Sequence, residues 1–282
     1  MLQKQQFYQR QTGSCGFHTH SKYADSFGDN QERRIIIIGK VGAGKSAIGN
    51  AILGQKVFKS KQSFCSVTQE CCVEDVIRNN RRFIVCDTPG ANGLLEDREN
   101  FMNHLKRCLY VTSPGFHVIL FVISAGQRIE QSDVNMFKEY EKLLGDQAYT
   151  YSIIAFTRVE PDECEGLIRD SKEISELRRK CGDRVLSFGN QQEIRKDLVK
   201  TFEEMVEILV SKNQSLPFYQ HEAYTEAFKI ICEDAKELKR KNKNLSDVDS
   251  ITGARKAAFE GRSPRDKSLI KLMNMEKCCV IL

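Results

Sequence analysis

The sequence predicts a three-layer α/β sandwich around a mostly parallel sheet, and three observations predict it. Apolar, β-branched runs alternate with amphipathic helical patterns along most of the chain. The first run, Ile35-Ile36-Ile37-Ile38, is continuous rather than alternating, as suits a strand buried on both faces. A glycine-rich turn, Gly39 to Ser46, then leads into a helical pattern. With 282 residues the chain is long enough for one large core with extensions.

The elements follow in order. Residues 1–31 mix Gln, Gly, Ser, His and Asp without period and read as a flexible tail. After the isoleucine strand and its helix, Gln69 to Ile77 reads as a strand, Asn79-Asn80 as a turn, and Arg82 to Asp87 as the next strand. That turn predicts one antiparallel pair in an otherwise parallel sheet. Further strands are expected at Phe116–Ile123, Tyr149–Phe156 and Val185–Phe188. Helical patterns cover Glu96–Tyr110, Gln131–Leu144, Glu165–Lys180 and Glu193–Lys212. Pro217 marks a boundary. The expected domain is therefore 32–215, with a further helix within 216–243 and a basic tail over 244–282.

Composition bounds the setting. The chain is 40% hydrophobic and 29% charged, as in ordinary globular proteins, and its net charge of +5 is modest. Its basic segments lack interleaved aromatics, so nucleic-acid binding is not expected. Eleven cysteines without a C-x-x-C pair give neither zinc-ligand spacing nor a disulfide framework, which suits a reducing, cytoplasmic location. Met1 to Asn30 lacks the apolar stretch of a signal peptide, and the run Val118 to Ile123 is too short to span a bilayer.

Two motifs point to phosphate chemistry. Gly39-Lys40-Val41-Gly42-Ala43-Gly44-Lys45-Ser46 fits G-x-x-x-x-G-K-[ST], between a strand and a helix as that P-loop requires. Its glycines let backbone N–H groups face a phosphate without Cβ clashes. The cradle candidates are Gly39, Val41, Gly42, Ala43, Gly44, Lys45, Ser46 and Ala47, with Lys45 reaching phosphate oxygens and Ser46 offering a hydroxyl to Mg²⁺. Asp87-Thr88-Pro89-Gly90 closes a strand, where Asp87 can hold a Mg²⁺-bound water and the Gly90 N–H can meet the terminal phosphate. Thr68, between the motifs, is the candidate second Mg²⁺ ligand; a turn-capping threonine is the alternative.

A guanine reader needs a carboxylate facing the base. Where Asn-Lys-x-Asp would stand, this chain has Thr157-Arg158-Val159-Glu160. Glu160 can supply the two acceptor oxygens, with Asp162 or a main-chain group as alternative readers, and the Arg158 stem can cover a base face. The bland reading of both is solvated loop charge.

Taken together these motifs resemble the GTPases of immunity-associated proteins, relatives of septins and of chloroplast outer-envelope import GTPases. The resemblance covers about Arg33 to Asn213 and includes Gly49-Asn50-Ala51-Ile52-Leu53-Gly54, Ser66-Val67-Thr68 and the Thr157-Arg158 substitute for Asn-Lys. It departs at Arg128-Ile129-Glu130-Gln131-Ser132-Asp133, matched only at its ends, and at Ser187-Phe188-Gly189-Asn190, where Gly interrupts a Phe-Asn-Asn pattern. The resemblance implies GTP and GDP binding with Mg²⁺, base contact at Asn190, and GTP-dependent pairing of two copies through their nucleotide faces.

Ala91, after Gly90, lacks the amide with which many small GTPases orient water, so at most slow GTP hydrolysis is expected. The C-terminal Cys279-Val280-Ile281-Leu282 reads as a C-a-a-X box for a prenyl group on Cys279, with Cys278 as a palmitoylation candidate. Arg255, Lys256, Arg262, Arg265, Lys267, Lys271 and Lys277 would face the cytoplasmic leaflet. The expected protein is a nucleotide-controlled scaffold that pairs with itself on a membrane. The alternatives are an ATP-dependent phosphotransferase and a lipid-anchored adaptor whose nucleotide never changes.

Overall fold

The computed structural model describes residues 32–59, 71–90, 107–108, 110–125, 131–189, 195–213 and 216–268. Its sheet has six strands: β1 (Glu32–Gly39), β2 (Cys72–Arg78), β3 (Arg81–Asp87), β4 (Val118–Ser124), β5 (Ser152–Thr157) and β6 (Val185–Ser187), in the order β2-β3-β1-β4-β5-β6. The β2–β3 pair is antiparallel and the other pairs are parallel. Asn79 and Asn80 both take positive φ, 51° and 59°, which is the twist a two-residue hairpin turn demands.

The isoleucine run behaves as its pattern requires. Ile35 to Ile38 are buried between β3 and β4, with Ile37 in register with Asp87 on one side and Leu120 on the other. β3 lies on one flank of β1, and β4, the next strand in the chain after β3, lies on the other, so the direction of winding reverses at β1. A crevice therefore opens beyond the carboxyl end of β1, where open α/β sheets place their ligands.

The helices are α1 (Lys45–Leu53), α2 (Gln131–Leu144), α3 (Pro161–Asp170), α4 (Lys172–Lys180), α5 (Lys196–Lys212), α6 (Glu222–Lys241) and α7 (Asp247–Phe259). Glu165–Lys180, read as one helix, is two. Ser171 is extended at φ −118°, and its hydroxyl accepts from the Ile174 N–H, ending one helix and capping the next.

A larger difference lies in the segment read as a tail. Residues 247–259 form α7, which packs on α6 around Ile251, Ala254, Ala258, Ala227, Phe228 and Ile231. Arg255, assigned above to anionic lipid, is buried inside the fold instead. Its Nη1 donates to both oxygens of Glu32, at 3.1 and 2.8 Å, and its Nη2 donates to the Ser113 carbonyl. Arg34 completes the cluster, donating from Nη1 to Glu32 Oε2 at 2.9 Å and from Nε to the Gly115 carbonyl at 2.6 Å. Arg265, another of the lipid-facing candidates, pairs with Asp234 and Glu233.

Candidate nucleotide site

The turn after β1 holds its shape through two left-handed glycines, Gly42 at φ 74° and Gly44 at φ 98°. Gly90 is the tightest point of the second motif. A Cβ there would lie 2.5 Å from both the nitrogen and the Cα of Val41, so only glycine lets the strand end touch the loop. Thr88 fixes that strand end by donating its hydroxyl to the Ile37 carbonyl at 2.7 Å.

Within this frame Lys45 is buried and donates from Nζ to the carbonyls of Gly39 (3.1 Å) and Lys40 (2.9 Å). Ser46 donates its hydroxyl to Asp87 Oδ2 at 2.6 Å. The other carboxylate oxygen, Oδ1, is buried and has no partner among the described residues. Burial pushes the Asp87 carboxyl up to about 6, against the pull of Ser46 and Lys45. An unsatisfied buried carboxylate oxygen beside a serine hydroxyl suits a hydrated hard cation, so the residues present fit Mg²⁺.

Burial likewise pushes Lys45 down to about 8, with Asp87 pulling the other way. The unfolded chain keeps its proton up to the ordinary lysine value. Native stability therefore rises with pH above about 8, where only the unfolded chain still holds that proton. A phosphate favours the charged amine, so its binding above pH 8 takes up a proton. Affinity for a phosphate-bearing ligand is expected to fall by up to about tenfold per pH unit there. Calorimetry in buffers of different ionisation enthalpy should show uptake approaching one proton per chain. Uptake that stays at zero through this range would remove Lys45 from the phosphate contact.

The base side converges on the same loop. Thr157 donates its hydroxyl to the Ala43 carbonyl at 2.7 Å, so the end of β5 is tied to the phosphate turn. Arg158 sits at φ 62°, donates from Nη2 to the Gly42 carbonyl at 3.0 Å, and from its N–H to the Gly189 carbonyl at 2.9 Å. Glu160 is half-buried at the head of α3, with Pro161 as the first helical residue. A Cβ on Gly189 would stand 3.7 and 3.8 Å from the Glu160 carboxylate oxygens, so β6 delivers its loop beside that acid.

The structure thus brings Gly39, Val41, Gly42, Ala43, Gly44, Lys45, Ser46, Ala47, Asp87, Gly90, Thr157, Arg158 and Glu160 to one end of the sheet. Thr68, Ala91, Asn190, Cys278 and Cys279 lie outside the described residues. Two contacts escaped the sequence reading. Lys40, an unspecified position of the loop motif, pairs with Asp133 of α2 at 3.1 Å. Asn50 accepts from the N–H groups of Val57 and Phe58 and donates to the Phe58 carbonyl, pinning the chain that leaves α1. The Gly49-Asn50 pair is therefore scaffold: a Cβ on Gly49 would strike the Phe58 ring at 2.8 Å.

The sequence model of the AIG1 family matches residues 33–239. Immune-associated nucleotide-binding protein 7 of Arabidopsis thaliana is 30% identical over 76% of this chain and 71% of its own. Human GTPase IMAP family member 8 is 31% identical over 64% of this chain, which spans only 28% of that protein. Among solved structures, a dimerization-deficient mutant of Toc33 from Arabidopsis thaliana superposes with a TM-score of 0.51 at 14% identity, over 69% of this chain and 93% of that one. Toc33 in complex with GDP and Mg²⁺ superposes with a TM-score of 0.50 at 15% identity, over the same shares. A matched region running from the first strand through most of α6, on the fold of a P-loop GTPase, settles the family: this chain belongs to the AIG1 family.

Proposed function

We propose that this chain is a guanine-nucleotide switch that self-associates in its GTP-bound state at a membrane surface. The observation that carries the reading is Lys45, a buried amine held over the loop carbonyls beside the unpaired Oδ1 of Asp87. Such a pair fits a phosphate and its cation. The relatives support the nucleotide: one is named for nucleotide binding, another as a GTPase, and Toc33 was solved with GDP and Mg²⁺. Mg²⁺ held through Ser46 and the Asp87 carboxylate would neutralise phosphate charge. The chain's own part is positional. The loop amides and Lys45 bind the phosphates, Thr157 holds the base loop against them, and Glu160 receives the base's N–H groups.

Glu160→Ala is expected to cost about 2–3 kcal/mol of guanine affinity while leaving adenine unaffected, so selectivity falls by roughly 100-fold. Competition of GDP and ADP against a fluorescent guanine nucleotide measures it. Selectivity that survives moves the reading to Asp162, which is exposed in the first turn of α3, or to the main chain.

Self-association is proposed on two grounds. A dimerization-deficient mutant of Toc33 exists because that protein dimerises, and this chain shares its fold. Ala91 also stands where many small GTPases place a glutamine to orient water, so hydrolysis is slow until a second copy contributes. The membrane comes from Cys279, proposed as prenylated with Cys278 as the second acyl site. No helix among the described residues is long and apolar enough to cross a membrane. With Arg255 inside the fold, the basic contribution falls to fewer residues and the lipid carries more of the attachment. Sedimentation of the full chain should give monomer with GDP and a dimer or larger species with a non-hydrolysable GTP analogue. The prenylated form should pellet with vesicles in both states, and Cys279→Ser in neither. Equal mass in the two nucleotide states rules out the switch, and equal pelleting rules out the anchor.

A further inference from the structure

We propose that Cys71, Cys86 and Cys108 form a binding site for one soft metal cation, with Cu(I) as the ion that fits it. The three residues come from separate parts of the chain: Cys71 just before β2, Cys86 inside β3, and Cys108 on the helical stretch that precedes β4. Their sulfurs converge. Cys108 Sγ lies 2.9 Å from Cys71 Sγ and 2.9 Å from Cys86 Sγ, and the remaining pair is 3.4 Å apart. All three are buried, Cys71 to 5% exposure and the other two to 0%.

Packing alone does not account for this arrangement. Cysteines used as small hydrophobes scatter through a core, as Cys164, Cys181 and Cys232 do here. A disulfide would join only two of the three. Three sulfurs brought to a common point match the demand of a thiophilic d¹⁰ cation for a closed sulfur shell. Among the described residues no fourth Cys, His, Asp or Glu ligand atom joins the group within 4.8 Å. Structural zinc takes four ligands almost without exception, whereas Cu(I) is content with three sulfurs. The three cysteines belong to the buried core cluster, with the Asp87 carboxylate as the charged group acting on Cys71 and Cys108. Each thiol that binds as a thiolate releases its proton to solvent, and copper enters already as Cu(I), so no electron changes hands.

The test uses the full chain, reduced, stripped of metal and kept anaerobic. Cys278→Ser and Cys279→Ser form the background, because neighbouring cysteines bind copper on their own. Titration with Cu(I) against bicinchoninate is expected to give one ion per chain, falling to none in Cys86→Ala/Cys108→Ala. Zn(II) offered in the same titration should fail to displace the copper. Circular dichroism establishes that the double variant is folded. Should it not fold, copper-edge X-ray absorption on the one-equivalent complex decides alone, with a shell of three sulfurs expected. Equal copper uptake by both proteins, a shell of two sulfurs, or displacement by Zn(II) overturns the assignment.

Discussion

Lys45→Ala is expected to weaken binding of GDP and GTP by at least about 150-fold, a loss of roughly 3 kcal/mol. The magnitude follows from where the amine sits. Lys45 is buried at the phosphate turn, and among the described residues its amine donates to two loop carbonyls, which hold it over the loop. Backbone N–H dipoles of the turn remain in the variant, yet they cannot neutralise a diphosphate in a site that also contains Asp87. The ligand-free variant should be nearly as stable as the parent, within about 1 kcal/mol, because a desolvated charge leaves together with its hydrogen bonds. That separates a binding defect from a folding defect. Titration calorimetry with GDP and Mg²⁺ makes the comparison, and an unchanged affinity would end the nucleotide reading.

Arg255→Met should be the most destabilising single change outside the sheet, at about 3–5 kcal/mol in urea unfolding. The cause is what it abandons rather than what it removes. Glu32 would stay buried with Arg34 as its remaining cation, and the Ser113 carbonyl would lose its donor. Lysine is expected not to rescue, because one ammonium cannot reproduce a fork that meets both Glu32 oxygens and a carbonyl at once. Glu32→Gln combined with Arg255→Met should recover part of the loss, since it withdraws the stranded charge. The wild-type cluster also sets an acid limit. Burial raises the Glu32 pKa, but the charges and hydrogen bonds of Arg255 and Arg34 outweigh it and leave the carboxyl below its ordinary value. Its contribution is therefore present above the ordinary carboxylate pKa and disappears as pH falls through the depressed one. A wild type and an Arg255→Met variant of equal stability at neutral pH would show the cluster to be inert.

The parts of the fold that were legible were those written in local pattern. Four consecutive isoleucines could satisfy no half-exposed strand, and two asparagines between strands supplied the positive φ that their turn requires. The phosphate turn was legible because its glycines and lysine stand in one stretch of chain. What escaped was long-range. α7 carries Ser250, Arg255 and alanines on its buried face, so its amphipathic signal is weak, and only α6 reveals which side is inside. The break at Ser171 hid because a single extended residue ends one helix while its hydroxyl caps the next, with no proline or glycine to mark the place. Lys40 with Asp133, and the three converging cysteines, join residues that share no sequence motif. Glu160 was readable as an acid in the right place, but its closeness to Gly189 depends on β5 and β6 lying side by side.

The distance along the chain between Glu32 and Arg255, 223 residues, has a bearing on synthesis. Domains begin to fold from the amino-terminal side while translation continues. β1 can therefore collapse into the sheet with its neighbours long before α7 has been made, burying a carboxylate whose bidentate partner does not yet exist. A chain cut or stalled before Arg255 would hold the whole nucleotide crevice and still lack the stabilisation that this late arginine supplies. Such a fragment unfolds more often, and cellular proteases remove what unfolds. The arginine thus works as a completion mark, and survival of the fold in a cell records that translation passed residue 255.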